Sequence, residues 1–210
     1  MNARTLSWCF MTLLAAGVAC YAASVALVPV VRSPFALSLI RDLPVAALMH
    51  FGGGAIALAV GTVQFSARLR SQMASLHRWL GRIYVASILA SGASGFVLAV
   101  NSSNGHWARW GFALLALAWL ATTLNGYRLI RQRQVAAHRA WMIRSYALTL
   151  SAVTLRGYLP LAQFMELPMS SAYPAIAWLC WLPNLIVAEL LIRGGFRQIL
   201  HARPSTAASL

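Results

Sequence analysis

Six long apolar runs follow one another along this 210-residue chain, and they constrain its fold more than any other feature. A helix needs about 20 mainly apolar residues to cross a hydrocarbon core about 30 Å thick. The composition agrees, because only 10% of the residues are charged and 60% are hydrophobic, which is far from the balance of a soluble domain. The sequence therefore predicts one all-α transmembrane domain over residues 1–210, in which spans two to five form a four-helix core. The predicted spans lie at about 8–31, 44–66, 79–100, 110–130, 140–163 and 175–192.

The arginines predict the orientation of these spans. All 17 basic residues are arginines, and 13 of them fall in segments that would face one side of the membrane, whereas Arg32, Arg41 and Arg109 would face the other. Basic residues are retained on the cytoplasmic side, so both termini are expected there, with residues 203–210 as a disordered tail. The net charge of +14 could also suggest nucleic acid. Because the arginines lie at helix ends, anionic lipid of the inner leaflet is the expected partner and nucleic acid is not.

One motif occurs twice, at the start of the third and of the fifth span. His77-Arg78 is followed by Trp79, Arg82 and Tyr84, and His138-Arg139 is followed by Trp141, Arg144 and Tyr146. The repetition predicts that spans two–three and four–five are two copies of one hairpin, related by an axis along the membrane normal. A shared basic and aromatic boundary is the alternative explanation.

The fifth span carries a full charge, Arg156, deep inside its apolar run. Ionisable residues at such depth are costly and mark candidate functional sites. Arg156 shares a helical face with His138, Ser145 and Thr149, and this polar face is expected to point into protein. Near the inner arginines, Glu189 is the one acid available, so we expect an ion pair with Arg144 or Arg82.

A second stripe, on the second span, combines polar ends with small residues: His50, Gly54, Ala57, Gly61 and Gln64. Small residues at this spacing allow close helix packing. They could equally leave a groove in which a porphyrin or quinone ring lies against Gly54 and Gly61. At 1.5 Å per residue, His50 and Arg156 come to a similar depth in the outer half of the membrane.

The histidines allow three interpretations. His77 and His138 could be the axial ligands of a b-type haem iron, since imidazoles from facing helices commonly hold haem. They could exchange protons beside a quinone, with Tyr84 and Tyr146 at the same cytoplasmic level, or they could simply contact lipid phosphate. The sequence contains neither paired carboxylates nor a hydrolase motif, so it assigns no catalytic residue and leaves open whether the protein is an enzyme.

The leading hypothesis is a membrane redox protein that binds haem or quinone through His50, His77, His138 and Arg156. The alternative is a non-enzymatic carrier, sensor or assembly partner that holds an anionic ligand or lipid. The oligomeric state and any redox partner stay open.

Three segments carry a resemblance: His50 with the glycines after it, Leu76 to Tyr84, and His138 to Pro160. They resemble a family of predicted bacterial multi-pass inner-membrane proteins that is catalogued as a domain of unknown function. This resemblance implies an integral membrane protein of the bacterial inner membrane and no particular activity. The chain is more loosely similar to the six-span transmembrane cytochromes b, which would imply haem, although its fourth span lacks the histidine of that pattern.

Overall fold

The computed structural model describes residues 3–201 and the side chains of residues 6–194. Over this part of the chain the secondary structure is helical, without strands. In chain order the helices are α1 (Ala3–Leu27), α2 (Pro34–Asp42), α3 (Pro44–Gln64), α4 (Ala67–Gln72), α5 (Ala74–Val100), α6 (His106–Arg131), α7 (Val135–Thr149), α8 (Ser151–Phe164), α9 (Met169–Leu179) and α10 (Leu182–His201). The all-α prediction is confirmed. The tail predicted at 203–210 lies outside the described residues.

Five helical segments within the described residues are long and apolar enough to cross a membrane. They are Leu6–Leu27, Pro44–Gln64, Ala74–Val100, His106–Arg131 and Met169–Gly194. The fifth predicted run is not among them, because it is more polar and is divided between α7 and α8. The first predicted span also differs, since α1 ends at Leu27 and a short 3-10 turn, Pro29–Val31, follows it.

Proline and serine fix several of the helix starts. Pro34 and Pro44 occupy the first position of α2 and α3, where a missing backbone N–H costs nothing. Ser33 caps α2 by accepting a hydrogen bond from the backbone N–H of Ala36, and Ser66 caps α4 in the same way. The two short helices, α2 and α4, thus lie at the two ends of α3.

Helices α3, α5, α6 and α7 pack one against the next. The α3 helix packs mainly on α5, and the α6 helix packs about equally on α5 and α7. Helices α3 and α5 approach closely at Gly53, where an added Cβ would lie 2.8 Å from the carbonyl oxygen of Ser87. The buried core draws on α3, α5, α6 and α7, and it also includes Cys180 and Trp181 from the junction of α9 and α10. The core therefore extends beyond predicted spans two to five.

Two helix breaks meet inside the bundle. Helix α7 ends at Thr149, and Leu150 separates it from α8. Cys180 and Trp181 separate α9 from α10. Asn184 joins the breaks, because its Nδ2 donates to the Ala147 carbonyl at 3.2 Å and to the Cys180 carbonyl at 3.1 Å. Carbonyl groups released where a helix is interrupted need such partners inside a membrane.

Candidate functional site

Three side-chain nitrogen and oxygen atoms on α3, α5 and α7 are buried without hydrogen-bond partners among the described residues, in the region where these helices meet. They are Nε2 of Gln64, Nδ1 of His77 and the hydroxyl of Tyr146. We call these three residues the donor cluster, because each atom can donate a hydrogen bond. A buried polar group without a partner costs about 1–3 kcal/mol, so three at one place call for an explanation.

The backbone of α3 brings the cluster together. Gly61 has no side chain, and the ring of Tyr146 lies directly on it; a Cβ there would overlap Tyr146 Cε2. Gln64 is one turn further along α3, beside α5, where a Cβ at Gly81 would lie 3.7 Å from its Oε1. His77 lies one turn before Gly81 on the same face of α5. Gly61 of the predicted stripe thus does receive flat rings, those of Tyr146 and Tyr84, and these rings belong to the protein itself.

Positive charge surrounds the cluster. The Arg70 guanidinium donates to the backbone carbonyl of Gln64 at 3.3 Å, at the end of α3. Arg70 and Arg78 are both close enough for their charges to act on the His77 imidazole. A ligand bound here would therefore meet neutral donors with arginines nearby.

His138 is held in one orientation, unlike His77. Its Nδ1 donates to the carbonyl oxygen of Gly126 at 2.8 Å, which leaves Nε2 as the nitrogen with a free lone pair. A backbone hydrogen bond on Nδ1 commonly accompanies an imidazole whose Nε2 binds a metal. Among the described residues, no three His, Cys, Asp or Glu side chains group together as a metal site, so a metal here would need to bring further ligands.

Tyr84 lies beside Tyr146 but belongs to a fully satisfied network. Its hydroxyl lies 3.0 Å from both Ser145 Oγ and Thr149 Oγ1. Thr149 also accepts from the Trp119 indole N–H at 2.9 Å, and Ser145 Oγ lies 2.7 Å from Thr123 Oγ1. These five side chains, which we call the hydroxyl network, join α5, α6 and α7, and every one of them is less than 10% exposed.

A family model described as "Predicted membrane protein (DUF2306)" matches residues 47–192 of the chain. The chain belongs to this DUF2306 family. No curated protein and no solved structure matches it. The family is a domain of unknown function in membrane proteins, as the resemblance of the sequence segments implied.

The DUF2306 match contains the donor cluster, the hydroxyl network and both copies of the repeated motif. It also contains the ion pair of Glu189, which accepts from Arg144 through both carboxylate oxygens, at 2.5 and 3.0 Å. Arg82, the other candidate partner of Glu189, lies instead over the ring of Trp79, at 4.9 Å from its centroid. The equivalent Arg144 has the same arrangement with Trp141, at 4.8 Å.

The outer-level candidates form a separate group. The His50 Nδ1 lies 3.0 Å from the Ser91 carbonyl, and the Ser91 hydroxyl donates to the His50 carbonyl at 2.8 Å. Gly54 is in ordinary contact range of Ser91. Arg156 is close enough for its charge to act on His50. Its guanidinium donates to the Ala152 carbonyl and lies over the ring of Tyr21. Tyr21 is outside the family match. The structure therefore keeps His50 and Arg156 together, away from His77 and His138.

Some residues of these sites were not singled out from the sequence. Thr123 and Trp119 of the hydroxyl network look like ordinary members of an apolar run. Asn184 and Thr154, which join the helix breaks, were not predicted as site residues either. Asn184 did carry a signal, since a lone amide within an apolar run must find partners inside the protein.

Proposed function

We propose that this DUF2306 protein binds the headgroup of a membrane quinone at the donor cluster. The observation that carries this proposal is the set of three buried donors, on Gln64, His77 and Tyr146, without protein partners among the described residues. A quinone ring is apolar and presents two carbonyl oxygens, which accept hydrogen bonds and donate none. Binding it would satisfy groups that are otherwise costly to bury.

The position of the cluster also supports a lipid-soluble ligand. It lies where three helices of an apolar bundle meet, and the exposed Arg70 just beyond the end of α3 marks the end nearest the polar surface. A headgroup at this level would leave its isoprenoid chain among the helices or in lipid. His77 and Tyr146 can each exchange a proton, so the same contacts suit a ligand whose oxygens are protonated on reduction.

The proposal includes a six-span bacterial inner-membrane topology with both termini in the cytoplasm. It rests on the distribution of the arginines and on the combined length of α7 and α8, which have 15 and 14 residues and are long enough together to cross the bilayer. Reporter fusions after Arg70 and Arg133 are expected to report cytoplasm, and a fusion after Asn104 periplasm. A periplasmic signal at Arg133 would contradict the six-span count.

A second candidate is a b-type haem, favoured by the hydrogen bond that fixes His138 and leaves its Nε2 free. One observation weighs against it: among the described residues, His77 Nδ1 has no carbonyl or carboxylate partner of the kind that usually orients an iron ligand. A reduced-minus-oxidised spectrum of the purified protein would decide for haem by a b-type band.

The test of quinone binding compares two Tyr→Phe variants in lipid nanodiscs. Tyr146→Phe removes one donor of the cluster, and we expect it to weaken binding of a short-chain ubiquinone analogue about fivefold, the usual worth of one hydrogen bond. Tyr127→Phe is the matched control, because Tyr127 is exposed on α6, and it should bind like the wild type. Equilibrium dialysis measures both. Equal affinity of all three proteins, or no measurable binding to any, would refute the proposal.

A further inference from the structure

A cavity lies between α1 and the region where the two helix breaks meet. Its volume is about 190 Å³. Phe10, Met11 and Leu14 of α1 form one wall, and Val153, Thr154 and Asn184 lie opposite. An apolar cavity of about 150 Å³ is large enough to hold a benzene ring, so this cavity can hold one substituted ring.

The hydrogen bonds of Asn184 fix which end of its amide faces the cavity. Its Nδ2 has three neighbours within bonding distance: the Ala147 carbonyl, the Cys180 carbonyl and Thr154 Oγ1 at 2.9 Å. The Thr154 hydroxyl itself donates to the Cys180 carbonyl at 2.7 Å, so it must accept from Asn184. All three neighbours are thus acceptors, and only the amide nitrogen can face them.

The amide oxygen of Asn184 is consequently left for a ligand. Oδ1 has no hydrogen-bond partner among the described residues and is not one of their buried unpaired atoms, so it is accessible, and Asn184 lines the cavity. The remaining walls are apolar apart from Thr154, whose hydroxyl proton is already donated to the Cys180 carbonyl. The cavity therefore offers one acceptor in an apolar setting, which is the reverse of the donor cluster.

We propose that this cavity binds an apolar, ring-sized molecule that carries a single hydroxyl group, and that the hydroxyl donates to Asn184 Oδ1. The class includes phenols and similar cyclic alcohols dissolved in the membrane. The site is independent of the quinone proposal, because no residue of the donor cluster lines it.

The probes that test this are 4-fluorophenol and 4-fluoroanisole, which have similar rings but differ in the hydroxyl proton. Their dissociation constants are measured by fluorine NMR on the full chain in nanodiscs, with protein-free nanodiscs as the background. We expect the phenol to bind about fivefold more tightly than the ether, as one hydrogen bond implies. Equal affinities would overturn the proposed role of Asn184.

Variants that fill the cavity locate the binding. Val153→Phe and Leu14→Phe narrow it from opposite sides without touching Asn184, and either should abolish binding of both probes. Val187→Phe makes the same kind of change on the exposed face of α10, outside the cavity, and should bind like the wild type. If a filled variant that retains the wild-type thermal unfolding midpoint still binds 4-fluorophenol normally, the site is not this cavity.

Discussion

The two copies of the repeated motif have the same local geometry. They differ in which side chain, the tyrosine or the histidine, is hydrogen-bonded to the rest of the protein. In both, the arginine lies over the tryptophan three residues before it, at almost the same distance. In the first copy the tyrosine, Tyr84, has two hydrogen-bond neighbours, while Nδ1 of the histidine, His77, has no partner among the described residues. In the second copy the histidine, His138, is bonded to Gly126, and the Tyr146 hydroxyl has no partner in the described part of the chain.

The unpaired groups are therefore a property of the assembled bundle and not of the motif. The motif determines contacts within one turn of helix, such as the arginine over its tryptophan. The partners of its histidine and tyrosine come from other helices, which differ between the copies. The unpaired member of each copy lies on a helix that packs beside the end of α3, where Gln64 is, and together these three residues form the donor cluster.

Gly61→Ala should have the largest effect, since it disturbs both tyrosines at once. A Cβ at position 61 would overlap the Tyr146 ring and lie 3.0 Å from Tyr84 Cε2. We expect the free energy of unfolding in detergent to fall by about 3 kcal/mol. Gly52→Ala is the control, because its Cβ would enter open space, and it should leave stability unchanged or slightly raised. Equal behaviour of the two variants would mean that the rings do not rest on Gly61.

Thr149→Val tests the hydroxyl network, in which Tyr84 is hydrogen-bonded. The change keeps the shape but leaves the Trp119 N–H without an acceptor and removes one partner of Tyr84, so a loss of about 2 kcal/mol is expected. Thr62→Val provides the control, because the buried Thr62 hydroxyl bonds only to its own helix, at the Ala59 carbonyl. Chemical unfolding of both variants measures the difference, and a control as destabilised as Thr149→Val would contradict a special role for the network.

Glu189→Gln tests a partner that only the second copy possesses. Arg144 would lose its carboxylate partner, whereas Arg82 has no such partner among the residues that the structure describes. Because the two side chains of the pair are 21% and 33% exposed, the expected loss is about 1–2 kcal/mol, less than for a fully buried pair. An unchanged thermal midpoint would show that the pair contributes nothing to folding.

Tyr146→Phe should have the smallest effect on stability, in contrast with Tyr84→Phe. Removing an unpaired buried hydroxyl costs no hydrogen bond, so stability should stay the same or rise by up to about 1 kcal/mol. Tyr84→Phe breaks two hydrogen bonds and should cost about 1–2 kcal/mol. If both variants, measured by thermal unfolding without added ligand, lose the same stability, the distinction between the two tyrosines fails.

Hydropathy and helical spacing predicted the helices and the buried face of Ser145 and Thr149, because burial of apolar area depends mainly on local pattern. The break at Leu150 was not predictable in the same way, since the sequence has neither glycine nor proline there and the group that supports the break, Asn184, lies on another helix. The donor cluster was predicted only in part. His77 and Tyr146 were candidates, but so were His138 and Tyr84, and only tertiary packing separates the paired from the unpaired members.

The hydroxyl network also bears on how the bundle is assembled. Thr149 and Thr123 each bond through Oγ1 to a carbonyl of their own helix, at Ser145 and Trp119, in addition to their neighbours on other helices. A single helix released into lipid can therefore shelter these hydroxyl protons by itself, before it meets its neighbours. Tyr84 and Trp119 have longer polar side chains and no such local bond. Insertion of the individual helices and their later association can thus proceed as separate steps, with Tyr84 and Trp119 gaining their partners only in the second.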